Sequence, residues 1–296
     1  MNAPLRIALI ALLTLPTSAL HAQQAYPTPD AAAQALVVAL GHQQANAKQM
    51  AQVLGADWQR YIPTGSVERK DVDAFLALYQ EKRRIQIDTP EHAQLLVGSS
   101  AWSFPLPLVK ATDGWRFDPK AGGEEIRARR IGRNELTTIQ SLLAYDDAQM
   151  DYAEADRNGD GVLEYAQQFI SSPGQHDGLY WSSAPGDAQS PLGPLFGDTA
   201  SGHDWHGYHY RILRAQGASA PGGTYSYTLG KHMSRGFAAI AWPAAYGDSG
   251  VMSFMISHDG QVFEKDLGPE GEKLATTMPS FDPDSSWSES NAAVAP

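Results

Sequence analysis

The chain has 296 residues, and its 22 Lys and Arg side chains against 33 Asp and Glu give a formal net charge of −11. An acidic surface repels phosphate backbones, so we expect no nucleic-acid partner. The chain contains no cysteine, which excludes disulfides, thiolate chemistry and the attachment of a lipid to cysteine.

The first 22 residues have the pattern of an export signal. Arg6 supplies the positive charge, the run "IALIALLTL" supplies the apolar core, and Ala22 is a small residue before a cut ahead of Gln23. That apolar run is too short to span a bilayer, and no later stretch approaches ~20 apolar residues. We therefore expect a periplasmic or secreted protein without a membrane span.

Residues 23–120 are predicted to form a small helix-plus-sheet domain. Apolar residues at helical spacing predict helices over residues 28–55 and 70–85, and Thr28 or Asp30 can cap the first of them. Three short strands follow, "AQLLVG", "SFPLPLVKA" and "WRFDP", and the "TDG" between the last two is typical of a tight turn.

A second domain is predicted over residues 121–285, and it begins with a long helix at roughly 123–155. The apolar residues spaced to form one stripe are Leu136, Ile139, Leu143 and Met150, with Leu142, Tyr145 and Tyr152 beside them. Such a stripe is typical of a helix face packed on a sheet. Residues 174–207 are rich in Gly, Pro, Ser and Asp and are predicted to be a long ordered loop.

The rest of the second domain is predicted to be an antiparallel sheet of about five strands. The β-rich runs are "YHYRILRAQ", "TYSYTLG", "GFAAIAWP", "VMSFMIS" and "QVFEKDL". Their short connections favour an antiparallel meander. Small and polar residues over 286–296 predict a flexible tail. The predicted fold class is therefore α+β, a small helix-plus-sheet domain followed by a long helix packed on an antiparallel meander.

The segment "YGDSGVMSF" at 246–254 contains the Gly-Asp-Ser-Gly sequence that surrounds the nucleophile of trypsin-like serine proteases. A protease of that type needs a double β-barrel with its histidine and aspartate upstream, whereas the upstream half of this chain is predicted to be helical. Gly247 and Gly250 permit positive φ between two predicted strands. We therefore interpret the segment as a turn and not as the site of a catalytic Ser249.

The segment "DRNGDGVLEYAQ" at 156–167 has the spacing of a calcium-binding loop. The candidate ligands are the side chains of Asp156, Asn158, Asp160 and Glu164 and the backbone carbonyl of Val162. Alternate oxygens on a tightly curled loop converge on one hard cation, and Gly161 stands where that turn needs glycine. Position 12 of the loop is Gln167, so the bidentate carboxylate is missing. The alternative is an Asx-rich turn that ends the long helix without any ion.

Histidine and aromatic residues are frequent between the long helix and the first strand after it. "HDWHGYH" supplies His203, His206 and His209, but no zinc signature accompanies them, so we interpret them as surface or core-edge histidines. The aromatic run "DGLYW" and the aromatic residues at 205–210 leave two alternatives open, a ligand platform or plain packing under the long loop.

An ordered series of segments resembles a known family. The segments are "FPLPLVKATDGWRFDPKAGGEEIRARRIGRNEL", "DAQMDYAEADRNGDGVLEYAQQF", "PGQHDGLYW", "SPLGPLF", "HGYHYRILRAQG", "GFAAIAWPAAYGDSGVMSF" and "DGQVFEKDLG". Together they are similar to the uncharacterised bacterial domain-of-unknown-function family DUF2950. The resemblance covers nearly the whole chain after the signal, and it implies an exported protein. It implies no catalytic and no cofactor-binding residues.

A second resemblance is to the soluble domains of type IV pilins and pseudopilins. It rests on "NEL" in the long helix, on Ala148, Gln149 and Tyr152 near its end, and then on "GYHYRI", "FAAIAWP", "GDSGVMSF" and "HDGQVF". The resemblance implies a long helix packed on an antiparallel meander, and in some pseudopilins a calcium ion pins a loop near the sheet. The apolar assembly helix of a pilin is absent directly before this domain, so the resemblance implies the fold and not the filament.

The sequence favours an exported non-catalytic envelope protein, a binding or assembly module with one structural calcium and an unidentified envelope protein or ligand as its partner. The rival from another class is a secreted hydrolase with its site in the loop 174–210, built from His176, Asp177, His203 and Asp204. Clustering of those four side chains in a deep cleft favours the hydrolase, whereas scattered and exposed side chains favour the binding module.

Overall fold

The computed structural model describes residues 23–62, 67–183, 186, 188–193 and 204–290. The chain divides into two compact units, of which the first ends at Ile126 and the second begins at Arg127. The sequence placed this boundary after residue 120. Both units combine helices with antiparallel sheet, which confirms the α+β class. The predicted signal peptide and residues 291–296 of the predicted tail lie outside the described residues.

The helices of the first unit are α1 (Pro29–Leu40), α2 (Ala47–Leu54), a short 3-10 helix (Trp58–Arg60) and α3 (Arg69–Glu81). The one helix predicted over 28–55 is therefore two helices. Gly41 ends α1 at a φ of 58°, which side chains disfavour, and Asn46 caps α2 by accepting a backbone N–H. The predicted cap at Thr28 is present, because its hydroxyl accepts the N–H of Ala31 at 3.1 Å.

The sheet of the first unit has five strands, β1 (Arg83–Thr89), β2 (His92–Val97), β3 (Trp102–Ser103), β4 (Leu108–Ala111) and β5 (Gly114–Phe117). The order is β1-β2-β4-β5, and β3 pairs with the end of β2 that β4 leaves free; all pairs are antiparallel. The predicted helix at 70–85 extended into β1, whereas α3 ends before Lys82, which is extended with a φ of −159°. The residues that pack α1 and α2 on this sheet are Leu36, Val53, Leu108, Trp115 and Phe117.

The long helix α4 (Pro119–Ala153) starts in the first unit and continues in the second. It begins earlier than predicted because Asp118 caps it, accepting the N–H of Ala121 at 3.0 Å. Proline at the first helical position lacks only an N–H that would have no helical partner. Gly122 and Gly123, at the predicted start of the helix, therefore lie inside its first turns.

The buried face of α4 differs in part from the predicted stripe. The buried residues are Thr138, Ile139, Ser141, Leu142, Tyr145, Ala148, Gln149 and Tyr152. The prediction was wrong at both ends of the stripe, since Leu136 and Met150 are 52% and 53% exposed. At about 100° per residue, Leu136 lies roughly 120° around the helix from Leu142, outside the row that packs on the sheet.

The sheet of the second unit has the order β6 (Tyr208–Leu213), β11 (Ala238–Pro243), β12 (Met252–Ser257), β13 (Val262–Asp266) and β14 (Ser288–Glu289). Between β6 and β11 the chain forms two short pairs, β7 (Ala215–Gln216) with β8 (Tyr225–Ser226) and β9 (Thr228–Leu229) with β10 (His232–Met233). Consecutive main strands pair antiparallel, as in a meander. The predicted second strand, "TYSYTLG", is not in this sheet, because its residues form β8 and β9 of the two short pairs. The last strand, β14, lies within the segment that was expected to be a flexible tail.

The centre of the second unit lies at β11, all of whose residues are buried. The short helix α5 (Gly271–Thr277) is fastened by Arg211, which donates to the carbonyls of Ala275 and Met278 at 2.6 and 2.5 Å. Among the described residues, none of the helices combines the length and the apolar character that crossing a membrane requires.

Candidate functional site

The acidic loop, residues 156–167, comes shortly after α4 in the chain, and hydrogen bonds near its last residues hold it to α4. The side-chain amide of Gln149, fully buried in α4, accepts the N–H of Ala166 at 2.8 Å and donates to the carbonyl of Ala166 at 2.9 Å. The same amide donates to the hydroxyl of Tyr145, which donates to the carbonyl of Ala238. A buried amide that is bonded at both ends holds the loop in one position.

The first half of the acidic loop is a tight turn around Asp156. The carboxylate of Asp156 accepts the backbone N–H groups of Gly159, Asp160 and Gly161 at 2.8 to 3.1 Å. Both glycines have the positive φ that such a turn requires, 77° and 87°. An Asx-rich turn of this kind forms with or without an ion, so the calcium site stays a prediction.

Glu164 connects the acidic loop to β10. The side chain is buried, with Oε1 accepting the amide of Asn158 at 2.6 Å and Oε2 accepting the N–H of Met233 at 3.1 Å. The N–H of Tyr165 also donates to the carbonyl of Met233, at 2.8 Å. A buried carboxylate with two donors avoids most of the desolvation cost of an unpaired one, and here it joins two distant segments of the chain.

Asp160, Glu164 and His232 form a group of candidate metal ligands, which we call the cation cluster. Each offers one ligand atom within 4.8 Å of the other two. Nδ1 of His232 lies 3.5 Å from Oδ2 of Asp160 and 3.5 Å from Oε2 of Glu164. That nitrogen has almost no solvent contact and no hydrogen bond to the described residues. A ring nitrogen in this position requires either a proton or a cation between it and the carboxylates.

Asp160 is the exposed member of the cation cluster and is the one with a shifted pKa. Desolvation raises the pKa of its carboxyl, but hydrogen bonds from Lys231 and from the N–H of Val162 lower it by more. The charge of His232 lowers this pKa in the same direction. Nζ of Lys231 lies 3.2 Å from Oδ2, on a side chain that is otherwise exposed to solvent. The net result is a pKa below the usual value, so Asp160 is ionised at neutral pH.

The cation cluster contains two of the predicted ligands, Asp160 and Glu164. Asp156 is not a member of it. Asn158 turns its amide nitrogen, not its oxygen, toward Glu164, and Val162 donates its N–H to Asp160 at 3.2 Å. The sequence reasoning missed the candidate ligand His232 in the β9–β10 hairpin, because a histidine far along the chain has no spacing relation to the loop.

A small polar cleft adjoins the cation cluster at Glu164. Its volume is about 220 Å³, and its lining residues are Tyr152, Asn158, Glu164, Tyr165, Gln167, Gln168 and Asp177. Clefts that hold drug-sized ligands have volumes of about 300 to 1,000 Å³. This cleft is therefore of a size for water or a small ion.

Of the four side chains proposed for a hydrolase, two contact other residues, one is exposed and one lies outside the described residues. The ring of His176 stacks on a neighbouring tryptophan, with centroids 4.3 Å apart. The carboxylate of Asp177 accepts the N–H and the hydroxyl of Ser172, both at 2.8 Å. Desolvation raises the pKa of Asp177, and these bonds lower it below its usual value. Asp204 is exposed, and His203 lies outside the described residues.

The GDSG turn, residues 247–250, joins β11 to β12 as the sequence analysis interpreted it. Gly247 has a φ of 74°, and its N–H donates to the carbonyl of Gly250 at 2.8 Å. The hydroxyl of Ser249 accepts the N–H of Ala245 at 2.9 Å and donates to its carbonyl at 3.2 Å. Within the described chain none of these bonds involves a histidine, and the hydroxyl of Ser249 is engaged by the backbone of its own turn.

Side chains of α4 hold the GDSG turn. Asp248 pairs with Arg130, and Oε1 of Glu135 accepts the N–H groups of Val251 and Met252 at 2.9 and 3.0 Å. The Asp248 carboxylate and the N–H groups of Val251 and Met252 therefore have partners on α4. These bonds give the turn a structural role.

The aromatic residues around the long loop are packed. Trp181 and Tyr208 are buried, and burial raises the pKa of Tyr210 to about 12. The hydroxyl of Tyr208 donates to the carbonyl of Met252 at 2.9 Å, and a Cβ at Gly250 would lie 2.0 Å from that hydroxyl. Of the two alternatives that the sequence left open, the structure supports packing for Trp181 and Tyr208. Trp205 is half-buried and lines a cleft of about 540 Å³, so the ligand platform stays a prediction there.

The family model described as a protein of unknown function (DUF2950) matches residues 23–290. The chain belongs to the DUF2950 family. The match extends over both units, which confirms the family resemblance drawn from the ordered segments. No curated protein and no solved structure matches this DUF2950 chain. The resemblance to pilin and pseudopilin domains therefore stays a prediction.

Proposed function

We propose that this DUF2950 protein is an exported, non-catalytic envelope protein, a binding or assembly module whose second unit is held by one structural divalent cation. The observation that carries the proposal is the buried Nδ1 of His232, which faces Asp160 and Glu164 and has no hydrogen bond to the described residues. A cation at this point joins the acidic loop to β10, and it neutralises two carboxylates that lie close together.

The separations within the cation cluster suit a small tetrahedral ion. With metal–ligand bonds of about 2.1 Å, two ligands of a tetrahedral site lie about 3.4 Å apart. The two separations from Nδ1 of His232 are 3.5 Å. One imidazole with two carboxylates is a ligand set for zinc and neighbouring transition metals, whereas calcium takes oxygen ligands. A zinc-class ion is therefore the first candidate, with water from the adjoining cleft as a fourth ligand.

Calcium is the second candidate, and it uses a different set of ligands. That set is the side chains of Asp156, Asn158, Asp160 and Glu164 with the carbonyl of Val162. The tight turn around Asp156 favours it, because a calcium loop needs the same curled backbone. The two candidates share Asp160 and Glu164, but Asp156 serves calcium alone and His232 serves zinc alone.

Thermal unfolding of the tag-free mature chain tests the proposal. The midpoint is measured in chelator and then in excess zinc or excess calcium, for the wild type and for His232→Ala, Asp156→Ala and Asp160→Ala. A ligand that binds only the native state at about 100 times its Kd adds about 2.7 kcal/mol to the free energy of unfolding. His42→Ala removes an exposed histidine and serves as the matched control.

We expect zinc to raise the midpoint of the wild type, the His42→Ala control and Asp156→Ala, but not that of His232→Ala or Asp160→Ala. A rise that is specific to calcium and lost in Asp156→Ala assigns the site to the second candidate. If neither ion raises the wild-type midpoint, the cation is refuted.

Export is the other part of the proposal, and it is supported by the position of the family match. That match begins at residue 23, the first residue after the predicted cut. We expect the protein to be recovered from the envelope fraction with an intact mass that begins at Gln23. A cytoplasmic protein that retains residues 1–22 contradicts export.

A further inference from the structure

The exposed edge of the first unit's sheet is the strand β1, residues Arg83–Thr89. It is antiparallel to β2 on one side and has no strand on the other side within the described chain. Six of its seven residues are exposed, and Ile85 is the half-buried exception. A strand edge of this length presents unpaired backbone groups, which are a template for another strand.

The direction of the unpaired backbone groups follows from the bonds at the start of β1. The N–H of Gly98 donates to the carbonyl of Lys82 at 2.8 Å. The backbone N–H and C=O groups of Lys82, and of every second residue after it, therefore point toward β2. The N–H and C=O groups of Arg83, Ile85 and Ile87 therefore point away from the sheet. On the far side of β2, the carbonyl of Leu95, which is opposite Ile85, accepts the N–H of Phe104 at 2.8 Å. The carbonyl of Leu95 thus points away from β1, which agrees with the backbone groups of Ile85 pointing away from β2.

The side chains of β1 form two rows of different chemistry. Arg84, Gln86 and Asp88 share one row, in which Gln86 accepts from Arg84 at 3.4 Å and donates to Asp88 at 2.9 Å. Ile85 and Ile87 lie in the other row, and Ile87 is 56% exposed. A register irregularity against β2 lies between Ile87 and Thr89, at the end of the strand. Asp88 nevertheless belongs to β1, and its contact with Gln86 places its side chain in the row of Arg84 and Gln86.

We propose that β1 pairs antiparallel with β1 of a second copy of this chain, with Gln86 opposite Gln86. In that register Ile85 stands opposite Ile87 of the second copy, and both present outward-facing N–H and C=O groups. Two such bonded pairs form, related by the twofold axis. Arg84 then stands opposite Asp88 of the second copy in a pair without backbone bonds, where side chains lie closest.

Charge complementarity selects both the occupant and the register. A register centred on Ile85 also satisfies the backbone, but it places Arg84 opposite Gln86 and leaves the charges unmatched. A shift by one residue sets an outward-facing backbone group against an inward-facing one and forms no bonds. Arg84 lies two positions before the centre of the pairing at Gln86, and Asp88 lies two positions after it. An antiparallel second copy of the strand therefore places opposite charges against each other. The inference goes beyond the proposed cation site and does not depend on it, since β1 belongs to the other unit.

Sedimentation equilibrium of the mature chain tests the pairing, with Arg84→Asp, Asp88→Arg and the double variant that exchanges both charges. A small interface predicts a weak dimer, with a Kd on the order of tens of micromolar. We expect each single variant to weaken the dimer at least tenfold and the double variant to restore it to within about threefold. A strand that was merely damaged cannot be restored by a second substitution.

Ile87→Pro provides an independent variant. It removes an N–H that points away from β2, so the fold is retained while one intermolecular donor is lost. We expect this variant to be monomeric with an unchanged circular dichroism spectrum. A wild-type chain that is monomeric at about 500 μM overturns the proposal and leaves the edge to a strand of another protein. A dimer that tolerates both single charge variants, or a double variant that is not restored, overturns it equally.

Discussion

Two glycine-containing loops of the second unit, the acidic loop and the GDSG turn, both have sequences that suggest chemistry. In the GDSG turn, Asp248 pairs with Arg130 and the hydroxyl of Ser249 bonds to the backbone of its own turn. In the acidic loop, carboxylates at positions 160 and 164 converge on a ring nitrogen of His232 that has no hydrogen bond to the described residues. Both loops contact α4. They differ in that the acidic loop is also contacted by His232 from a distant hairpin.

The comparison teaches that a motif's spacing does not decide its chemistry. The GDSG turn matches a catalytic sequence, yet the Asp248 carboxylate and the Ser249 hydroxyl both have structural partners. The acidic loop lacks its twelfth-position carboxylate, yet it receives an imidazole from a hairpin that no loop signature includes. The convergence of two carboxylates and a ring nitrogen within 4.8 Å, from two segments distant along the chain, is the better indication of a site.

The largest loss of stability is expected when Gln149, which holds the acidic loop, is replaced. Gln149→Ala leaves the N–H and the carbonyl of Ala166 without partners, and each unsatisfied buried group costs about 1 to 3 kcal/mol. We expect the free energy of unfolding, measured by urea denaturation, to fall by about 3 kcal/mol or more. The control is Met150→Ala, the next residue on an exposed face. A loss below about 1 kcal/mol in Gln149→Ala would show that α4 does not hold the acidic loop.

A smaller loss of stability is expected at the GDSG turn. We expect it from replacing Glu135 on α4 and not from replacing Ser249. Glu135→Ala leaves the N–H groups of Val251 and Met252 unpaired, so we expect a loss of about 2 kcal/mol in the free energy of unfolding. Ser249→Ala should cost less than about 1 kcal/mol, because its hydroxyl bonds only to a neighbouring backbone. Equal losses in the two variants would contradict this order. Glu135→Gln keeps one acceptor and should lie between them.

The smallest effect concerns the pH dependence of the acidic loop in chelator. The pKa of Asp160 is lower in the folded protein than its ordinary value, so its ionised form stabilises the fold above that ordinary value. This stabilisation is lost as the pH falls through the lowered pKa. We expect the stability difference between wild type and Asp160→Asn to shrink from neutral pH toward acid. A difference that grows in acid would show that the carboxylate is destabilising, and Asp204→Asn, at an exposed position, is the control.

The helices and main strands were largely predictable, because their periodicity is local. Thr28 as a cap, the antiparallel pair of β11 and β12 and the turn at Gly247 all follow from residues within a few positions of one another. The errors lie where packing chose between local alternatives. Leu136 and Met150 are apolar and helical, but the sheet contacts the row through Leu142 and Tyr145.

The sequence by itself determined the α+β class, the family and the presence of an acidic loop, since each depends on residue types in order along the chain. Only the tertiary structure decided what that loop faces. The hairpin of β9 and β10 brings His232 against Glu164, and a contact between such distant residues leaves no periodic signal. The free edge of β1 was likewise decided by the sheet, because a strand becomes an edge only through the neighbours it lacks.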